Sequence, residues 1–327
     1  MTLIGITKVL NEDDIVEAFI RHHATMVDHH LILDNGSTDE TVNILKALKD
    51  EGLKISVFQN RCTFFNEASY NTELFKHARN AFDADWAIFL DTDEFINTRY
   101  VPQGLHSLLD SLPSTEVCVG LQNLTYFDHP TDDPAELTVP VRMRYREKPA
   151  ERLLSKMFVR GGLASPAFNT MIDAGQHEVL IDGQMVRPFG DHPLSLAHYY
   201  RRSAWQTISK SVLGYLKVTA SPKSERDKNR AVHYNDVFRF MRDDPQHLFG
   251  PDFIAPTYSG MDLELEPLPY HGGALRYTPR TDPRFKAIRV LTAFAEQLAQ
   301  AHAHFIDTNE GVRLQAEQQT YRWLQLF

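Results

Sequence analysis

Acidic side chains follow three stretches of the sequence that are typical of buried strands. Asn11-Glu12-Asp13-Asp14 comes after the first stretch, Asp34-Asn35-Gly36-Ser37-Thr38 after the second, and Asp91-Thr92-Asp93-Glu94 after a later one. In an open parallel sheet the carboxyl ends of the strands share one edge, and ligands bind there. Because carboxylates that are gathered at one edge repel each other, the pattern predicts a site for a cation or a hydroxyl-rich ligand.

Asp91 and Asp93 are the strongest candidates for binding a metal ion. They directly follow the continuous apolar run 86–90, and on an extended chain two residues at this spacing point to the same side. Two converging carboxylates suit a hard divalent ion such as Mg²⁺ or Mn²⁺. The alternative is a pair of solvated acids in a loop, but the buried strand directly before them favours the metal site.

The elements that must position these residues alternate between strand and helix. The hydrophobic patterns predict strands over 2–10, 30–34, 54–59 and 86–90, and helices over 12–26, 39–49 and 70–82. This alternation predicts an α/β fold with a mainly parallel sheet flanked by helices. Later strands are expected over 116–125, 153–160 and 196–200.

Beyond the sheet, the sequence predicts a change of character. A stretch rich in Pro, Asp and Arg over 127–149 is expected to be a long loop, and the chain after Arg201 is expected to be mostly helical, ending in helices over 285–305 and 311–326. We therefore divide the chain into a sheet domain over 1–200 and a helical C-terminal region over 201–327.

Composition excludes several classes of protein. The 327 residues are 43% hydrophobic and 24% charged, as in ordinary globular domains. Thirty-four basic residues against 43 acidic ones give a net charge of −9, which argues against a nucleic-acid partner. Two cysteines favour a reducing compartment. We find no signal-peptide pattern and no run of 18 apolar residues, so we expect a cytoplasmic protein with no transmembrane segment.

Several of these motifs together resemble family 2 glycosyltransferases, which have the GT-A fold. The resemblance rests on the three acidic motifs, on Ala78-Arg79-Asn80, and on the extended form Phe89-Leu90-Asp91-Thr92-Asp93-Glu94-Phe95. The Asp-x-Asp-Glu-Phe form resembles a subgroup with a later His-Tyr-x-x-Arg-Ser stretch, here His198-Tyr199-Tyr200-Arg201-Arg202-Ser203. The resemblance is clear over residues 1–100, weaker to about 214, and absent beyond.

The resemblance implies an enzyme that binds a nucleoside-diphosphate sugar as donor. It places Asp34 at the nucleobase, with Asn11, Glu12 and Arg79 nearby. It also implies that basic residues bind the donor, with Arg202 and Lys210 neutralising the diphosphate and Lys156 matching a further basic position of the subgroup. For Arg202 and Lys210, the alternative is an ordinary solvated helix face.

The resemblance further implies a metal cofactor, Mn²⁺ or Mg²⁺. Asp93 would hold the ion against the diphosphate, and Asp91 would contact the ribose or the metal. A later histidine often approaches the metal in this fold, and His198 is the best match. The alternative for His198 is a buried ring that is satisfied by a backbone carbonyl.

Enzymes of this family generally invert the configuration of the sugar, which requires a base for the acceptor hydroxyl. Asp128, His177 and Glu178 are the candidates. The sequence departs from the family at 126–130, where Tyr-Phe-Asp-His-Pro replaces a segment rich in Gly and Ser. That segment would shape the acceptor site, so the acceptor, whether a glycan, a lipid-linked group or another hydroxyl compound, stays open.

Two other functions are considered. A nucleotidyltransferase would also use metal-binding carboxylates, but it would place a Gly-rich phosphate loop where this chain has Asn11-Glu12-Asp13-Asp14. The second is a carbohydrate- or nucleotide-binding protein without catalytic activity, and the intact Asp91 and Asp93 argue against it. A homo-oligomer and a peripheral position at the inner face of a membrane are left open.

Overall fold

The computed structural model describes residues 1–64, 67–148, 154–226, 234–250 and 261–319. The N-terminal part alternates strand and helix as the sequence predicts. Its elements are β1 Leu3–Val9, α1 Val16–His23, β2 His29–Asp34, α2 Thr41–Asp50, β3 Ile55–Gln59, α3 Glu67–Phe82 and β4 Trp86–Phe89.

These four strands form a parallel sheet in the order β3-β2-β1-β4. Val9 of β1 pairs with Asp34 of β2, and Asp34 pairs in turn with Gln59 of β3. The register therefore aligns the carboxyl ends of these strands along one edge. The loops that follow β1, β2 and β4 leave the sheet at this edge, where the sequence predicts a site.

Alternation along β1 explains why helices cover both faces of this sheet. Ile4 and Ile6 belong to the hydrophobic cluster that contains Phe75 of α3. Leu3 and Val9, which point the opposite way along the strand, belong to the cluster that contains Phe19 of α1. Both faces of β1 are thus buried, as expected for a central strand of a parallel sheet.

The second half of the sheet is antiparallel in most of its pairings. This part of the chain comprises β5 Glu94–Asn97, α4 Leu105–Ser111, β6 Cys118–Phe127, α5 Val139–Arg142, β7 Tyr145–Glu147, β8 Leu154–Arg160, β9 Thr170–Ile172, β10 Val179–Ile181, β11 Gln184–Met185 and β12 Ser195–His198. Of these strands, β9, β10 and β11 form a separate three-stranded sheet. β8 lies antiparallel between β4 and β6, while β12 pairs antiparallel with β5 and parallel with β6. The α/β class is confirmed, but the sheet as a whole is mixed.

The C-terminal part is mostly helical. It comprises α6 Ala204–Thr219, α7 Lys223–Arg226, α8 Tyr234–Asp243, α9 Pro245–Phe249, β13 Leu263–Leu265, α10 Pro283–Thr308 and α11 Glu310–Gln319. β13 pairs with β7, so this part adds a strand to the sheet. The end of the last predicted helix, 320–326, lies outside the described residues. Within the part of the chain that is described, no helix is long and apolar enough to cross a membrane.

Candidate functional site

Asp91 and Asp93 lie in a tight turn between β4 and β5. The backbone N–H of Glu94 donates to the carbonyl of Asp91 over 3.0 Å, and the backbone N–H of Asp91 donates to Glu94 Oε2 over 2.9 Å. The expectation of an extended chain between the two aspartates is therefore wrong. Because the backbone turns, the two carboxylates meet different partners: Asp93 is 1% exposed, whereas the side chain of Asp91 is 45% exposed.

Asp93 is surrounded by three groups that carry or accept positive charge. Its Oδ2 lies 2.6 Å from Lys210 Nζ and 3.5 Å from Arg202 Nη1, and its Oδ1 lies 3.9 Å from His198 Nε2. Burial alone would raise the pKa of Asp93, but the charges of Lys210, His198 and Arg202 outweigh it and lower the pKa. The carboxylate is therefore ionised.

Strand pairing explains why His198 lies beside Asp93. His198 is the last residue of β12, where it pairs with Glu94 of β5 and Thr125 of β6. The next residue, Tyr199, donates its backbone N–H to the carbonyl of Asp93 over 2.8 Å. The register of β12 therefore brings a residue about a hundred positions later to the turn after β4.

Arg202 joins the loop after β1 to the turn after β4. Its guanidinium, 1% exposed, donates to Asp14 Oδ2 over 2.7 Å, forms a close ion pair with Glu12, and faces Asp93. Ser203 caps α6 by accepting a hydrogen bond from the backbone N–H of Gln206. This start of the helix directs Arg202 and Lys210 to the same carboxylate.

Lys156 binds the other aspartate of the turn. Although it lies on β8 with no exposed surface, its ammonium donates to Asp91 Oδ2 over 3.0 Å. The ammonium also donates to Gln176 Oε1 over 3.0 Å and to the carbonyl of Gly175 over 2.7 Å. Three acceptors satisfy its three N–H groups, which explains how a charged lysine is tolerated inside the sheet.

Asp34 and Asn11 organise the two loops beside this turn. Asp34 is fully buried and accepts hydrogen bonds from the backbone N–H groups of Gly36 and Ser37 and from Gln59 Nε2, the last over 2.9 Å. Asn11, in the left-handed region with a φ of 59°, accepts a hydrogen bond at its Oδ1 from the backbone N–H of Thr38 over 2.8 Å.

The structure does not bring Arg79 to this cluster. Its guanidinium donates to the carbonyl of Ala84 over 3.2 Å and pairs with Asp83 at 2.6 Å. Ala84 precedes β4, so Arg79 lies at the amino ends of the parallel strands. Its expected position beside Glu12 and Asp34 is therefore wrong, because the last turn of α3 lies at the opposite end of the sheet.

The three candidate bases occupy two places. Asp128 directly follows β6, beside the end of β12, and its Oδ1 is buried without a hydrogen-bond partner. Burial raises the pKa of Asp128, and Arg201 partly offsets this. His177 and Glu178 follow Gln176, which contacts Lys156; the exposed ring of His177 bonds the carbonyl of Ser155. Of the three candidates, Asp128 is the one with a buried oxygen that has no partner among the described residues.

The sequence analysis did not predict that two further lysines contact this site. Lys217 of α6 is 6% exposed and lies 2.7 Å from the side-chain amide of Asn35, and burial lowers its pKa to about 8. The three- and four-residue spacing that groups Gln206, Lys210 and Gly214 on one face of α6 extends to Lys217 and would have found it. Lys286 of α10 binds the loop after β1, and no local pattern signals that contact.

Asp93 and His198 present a donor set that fits a divalent ion. Asp93 Oδ1 and His198 Nε2 lie 3.9 Å apart, which is too far for a hydrogen bond. Burial lowers the pKa of His198 despite the opposing charge of Asp93, so the ring favours the neutral form that binds metals. Among the described residues, no three His, Cys, Asp or Glu side chains are grouped closely enough to hold a metal. The protein would thus supply few ligands, as is usual where phosphate oxygens supply others.

The model of the family described as glycosyl transferase family 2 matches residues 6–162. No curated protein matches the chain.

Among solved structures, the chain is similar to glucosyl-3-phosphoglycerate synthase from Mycobacterium tuberculosis in complex with Mn²⁺, UDP and glucosyl-3-phosphoglycerate. That match has 21% identity and a TM-score of 0.27 and covers 38% of this chain and 44% of that one. It is also similar to a mannosyltransferase from Pyrobaculum calidifontis in complex with GDP-Man and Mn²⁺, with 12% identity, a TM-score of 0.40, and coverage of 98% of this chain and 84% of that one. The chain spans 41% of the first mycobacterial structure that it matches and 44% of the synthase.

Proposed function

We propose that this chain is a glycosyltransferase that moves a sugar from a nucleoside-diphosphate donor to an acceptor hydroxyl with the help of Mn²⁺ or Mg²⁺. The match of the glycosyl transferase family 2 model to residues 6–162 supports this. The observation that carries the proposal is the environment of Asp93. A buried carboxylate at the carboxyl end of β4 faces one imidazole and two side-chain cations, all contributed by later parts of the chain.

The cations of the cluster suit a diphosphate. Arg202 and Lys210 lie on the Oδ2 side of Asp93, and Lys210 is 37% exposed, so solvent and a ligand can reach it. A guanidinium binds phosphate oxygens through paired N–H groups, while an ammonium acts as a point charge. We assign both side chains to the donor diphosphate, where they would stabilise the negative charge of the leaving nucleoside diphosphate.

Asp93 and His198 would hold the metal ion, and Asp91 would join them once its side chain turned towards the ion. When bound there, the ion would act as a Lewis acid towards the diphosphate oxygens. The sequence Asp91-Thr92-Asp93 is thus proposed as the metal-binding motif, with Asp93 as the principal ligand. Asp91 would need to share its carboxylate between the ion and Lys156, which lies 3.0 Å from its Oδ2.

Asp128 is proposed as the general base. In a single displacement, the acceptor oxygen forms a bond to the anomeric carbon while the bond from that carbon to the diphosphate breaks, and the electron pair leaves on the diphosphate. The proton of the acceptor hydroxyl passes to Asp128, whose Oδ1 has no hydrogen-bond partner within the described residues. This displacement inverts the configuration of the sugar. The raised pKa of Asp128 strengthens it as a proton acceptor.

Nucleotide binding tests the proposal most directly. Thermal melting of the full chain would be measured with UDP, GDP, ADP, CDP and dTDP, each with and without Mn²⁺. We expect at least one nucleoside diphosphate to raise the melting temperature, and to do so only with the metal. Release of nucleoside diphosphate from the matching sugar donor would then report turnover. A chain that binds none of the five would contradict the donor assignment, and one that binds but never releases product would contradict catalysis.

The proposed function also implies a class of acceptor and a cellular location. We propose a hydroxyl acceptor from a glycan or glycoconjugate, which would bind beside Asp128 on the loop between β6 and β7. A cytoplasmic location is proposed because the chain has only two cysteines, which favours a reducing compartment.

A further inference from the structure

Lys286 is a mostly buried lysine that lies far outside the matched family region. It belongs to the first turn of α10, which begins at Pro283, and its side chain is 12% exposed. Its ammonium forms a close ion pair with Asp13 Oδ1 and lies 3.3 Å from Asp14 Oδ1 and 3.2 Å from Asp39 Oδ2. An ammonium has three N–H groups, so three carboxylates satisfy it fully.

These three carboxylates belong to the two loops that carry the proposed donor residues. Asp13 and Asp14 lie in the loop after β1 with Asn11 and Glu12, and Asp39 lies in the loop after β2 that begins at Asp34. Asp39 Oδ2 also accepts the backbone N–H of Asp13 over 3.2 Å. Lys286 therefore contacts both loops at the point where they meet.

The contacts continue from Lys286 to the proposed metal ligand. Asp14 uses Oδ1 for Lys286 and both oxygens for Arg202, and Arg202 in turn faces Asp93. If Lys286 were replaced by a neutral residue, Asp14 would keep Arg202 as its partner, but Asp13 and Asp39 would lose the cation that they share. Because an unpaired buried carboxylate is costly, the loops would separate, or Arg202 would move towards them and away from Asp93.

We propose that Lys286 is a positioning residue for the donor site: the C-terminal helix α10 supplies the cation that holds the loops after β1 and β2 together and keeps Arg202 directed at Asp93. This proposal rests on the proposed function for its effect on donor binding, but its effect on the loops does not depend on that function. It assigns a role in the site to a part of the chain 124 residues beyond the matched region 6–162.

The test compares Lys286→Met with Lys286→Arg and with Arg289→Met in the full chain. Arg289 lies on the same helix and faces an acidic residue at 3.8 Å, but it is 61% exposed, which makes it a matched control. Hydrogen exchange without any nucleotide is measured first. In Lys286→Met we expect faster exchange at residues 11–15 and 36–41, with β4 unchanged, and near wild-type exchange in Lys286→Arg and Arg289→Met.

Affinity for UDP and GDP with Mn²⁺ is measured second, on the same variants. We expect the dissociation constant of whichever nucleotide binds the wild type to rise about tenfold in Lys286→Met and to recover in Lys286→Arg. Once a donor is identified, its KM in Lys286→Met should rise while kcat stays within about twofold of wild type. General destabilisation would instead lower kcat through loss of active enzyme. Unchanged exchange in Lys286→Met would overturn the proposal. If Lys286→Met showed faster exchange but the wild type bound no nucleotide, the proposed function alone would be overturned.

Discussion

Two polar clusters lie beside β1, one partly exposed and one buried, and they differ in how their side chains are paired. At the carboxyl end of the strand, Asp14, Asp93, Arg202 and Lys210 remain charged by pairing with each other. Between the sheet and α1, three buried histidines bond neutral partners: His22 contacts the carbonyl of Ile96, His23 contacts the carbonyl of Phe19, and His30 contacts Thr7 Oγ1.

Burial acts on both clusters, but only one has charges to oppose it. In the histidine cluster burial lowers the pKa of His22 to about 4 and that of His30 to about 3. The rings are therefore neutral at pH 7, and their bonds hold α1 against β5 and β1. In the ionic cluster, opposite charges keep Asp93 ionised despite burial, while Asp91 and Lys210 remain partly exposed. A ligand can therefore exchange partners with the ionic cluster, whereas the histidine cluster serves to join α1 to the sheet.

The largest expected effect comes from removing the charge of Asp93. Asp93→Asn should lower kcat/KM by at least about a thousandfold, equivalent to about 4 kcal/mol, because the proposed metal ligand is lost and Lys210 and Arg202 lose their shared partner. Release of nucleoside diphosphate from the donor measures this effect. The same variant should lose the metal-dependent part of nucleotide binding.

Asp110→Asn is the matched control, since Asp110 is an exposed carboxylate on α4. It should leave turnover within about twofold of wild type. If Asp93→Asn folded and turned over normally, the ionic cluster would be merely structural, and the contrast with the histidines would fail.

Asp128→Asn should have the next largest effect. Loss of a general base slows the chemical step by about a hundredfold or more, with little change in donor KM because Asp128 is assigned to the acceptor. Asp133→Asn, an exposed aspartate of the same loop, is the control and should be near wild type. Equal rates in the two variants would remove Asp128 from the mechanism and direct attention to His177 and Glu178.

The sequence predicts the ionic cluster in part, and the reason is local. Asp91, Asp93, Glu12 and Asp34 each directly follow an apolar strand, so their positions at one edge follow from parallel pairing alone. The tight turn between Asp91 and Asp93 was not predicted, because an apolar run reveals where a strand ends but not how the chain turns next. The four strands and three helices that the sequence predicts up to β4 are all present, which confirms the α/β fold class.

Long-range contacts account for what the sequence did not reveal. Lys286 lies 273 residues from Asp13, and Arg99 to Glu266 and β7 to β13 are further contacts between distant segments. The antiparallel insertion of β8 between β4 and β6 likewise depends on pairing that a strand pattern does not encode. The histidine cluster was also missed, because a histidine on an apolar face looks the same whether it is structural or functional.

The histidine cluster predicts a loss of stability in mild acid. In the unfolded chain the histidine pKa is near 6.5, so the unfolded state binds protons below that pH, while buried His30 does not until its folded pKa of about 3. The contribution of His30 to stability is therefore intact above pH 6.5 and decreases as the pH falls towards 3. Between pH 7 and pH 5 the loss is about 2 kcal/mol. Urea unfolding at the two pH values measures it.

His30→Phe isolates this contribution from that of the carboxylates. The variant should lose some stability at pH 7, because the bond to Thr7 is gone, but its decrease between pH 7 and pH 5 should be about 2 kcal/mol smaller than in wild type. The charged or titratable neighbours His23 and His29 stay in place in both proteins. His302→Phe, which changes an exposed histidine of α10, should retain the wild-type decrease. Equal slopes for wild type and His30→Phe would show that the ring is not held neutral by burial.

Arg79→Ala should have the smallest effect, and it defines where the ionic cluster ends. The sequence motif places Arg79 with the donor residues, whereas the structure places it at the amino ends of the strands, paired with the exposed Asp83. Removing a surface pair of this kind costs up to about 1 kcal/mol of folding free energy and should leave the affinity for nucleotide and the donor KM within about twofold of wild type. Arg202→Met provides the contrast, because the same charge is removed inside the cluster and affinity should fall steeply. A tenfold loss of nucleotide affinity in Arg79→Ala would mean that the donor site extends to the amino ends of the strands. Arg79 and Arg202, at opposite ends of the sheet, would then both act on one ligand.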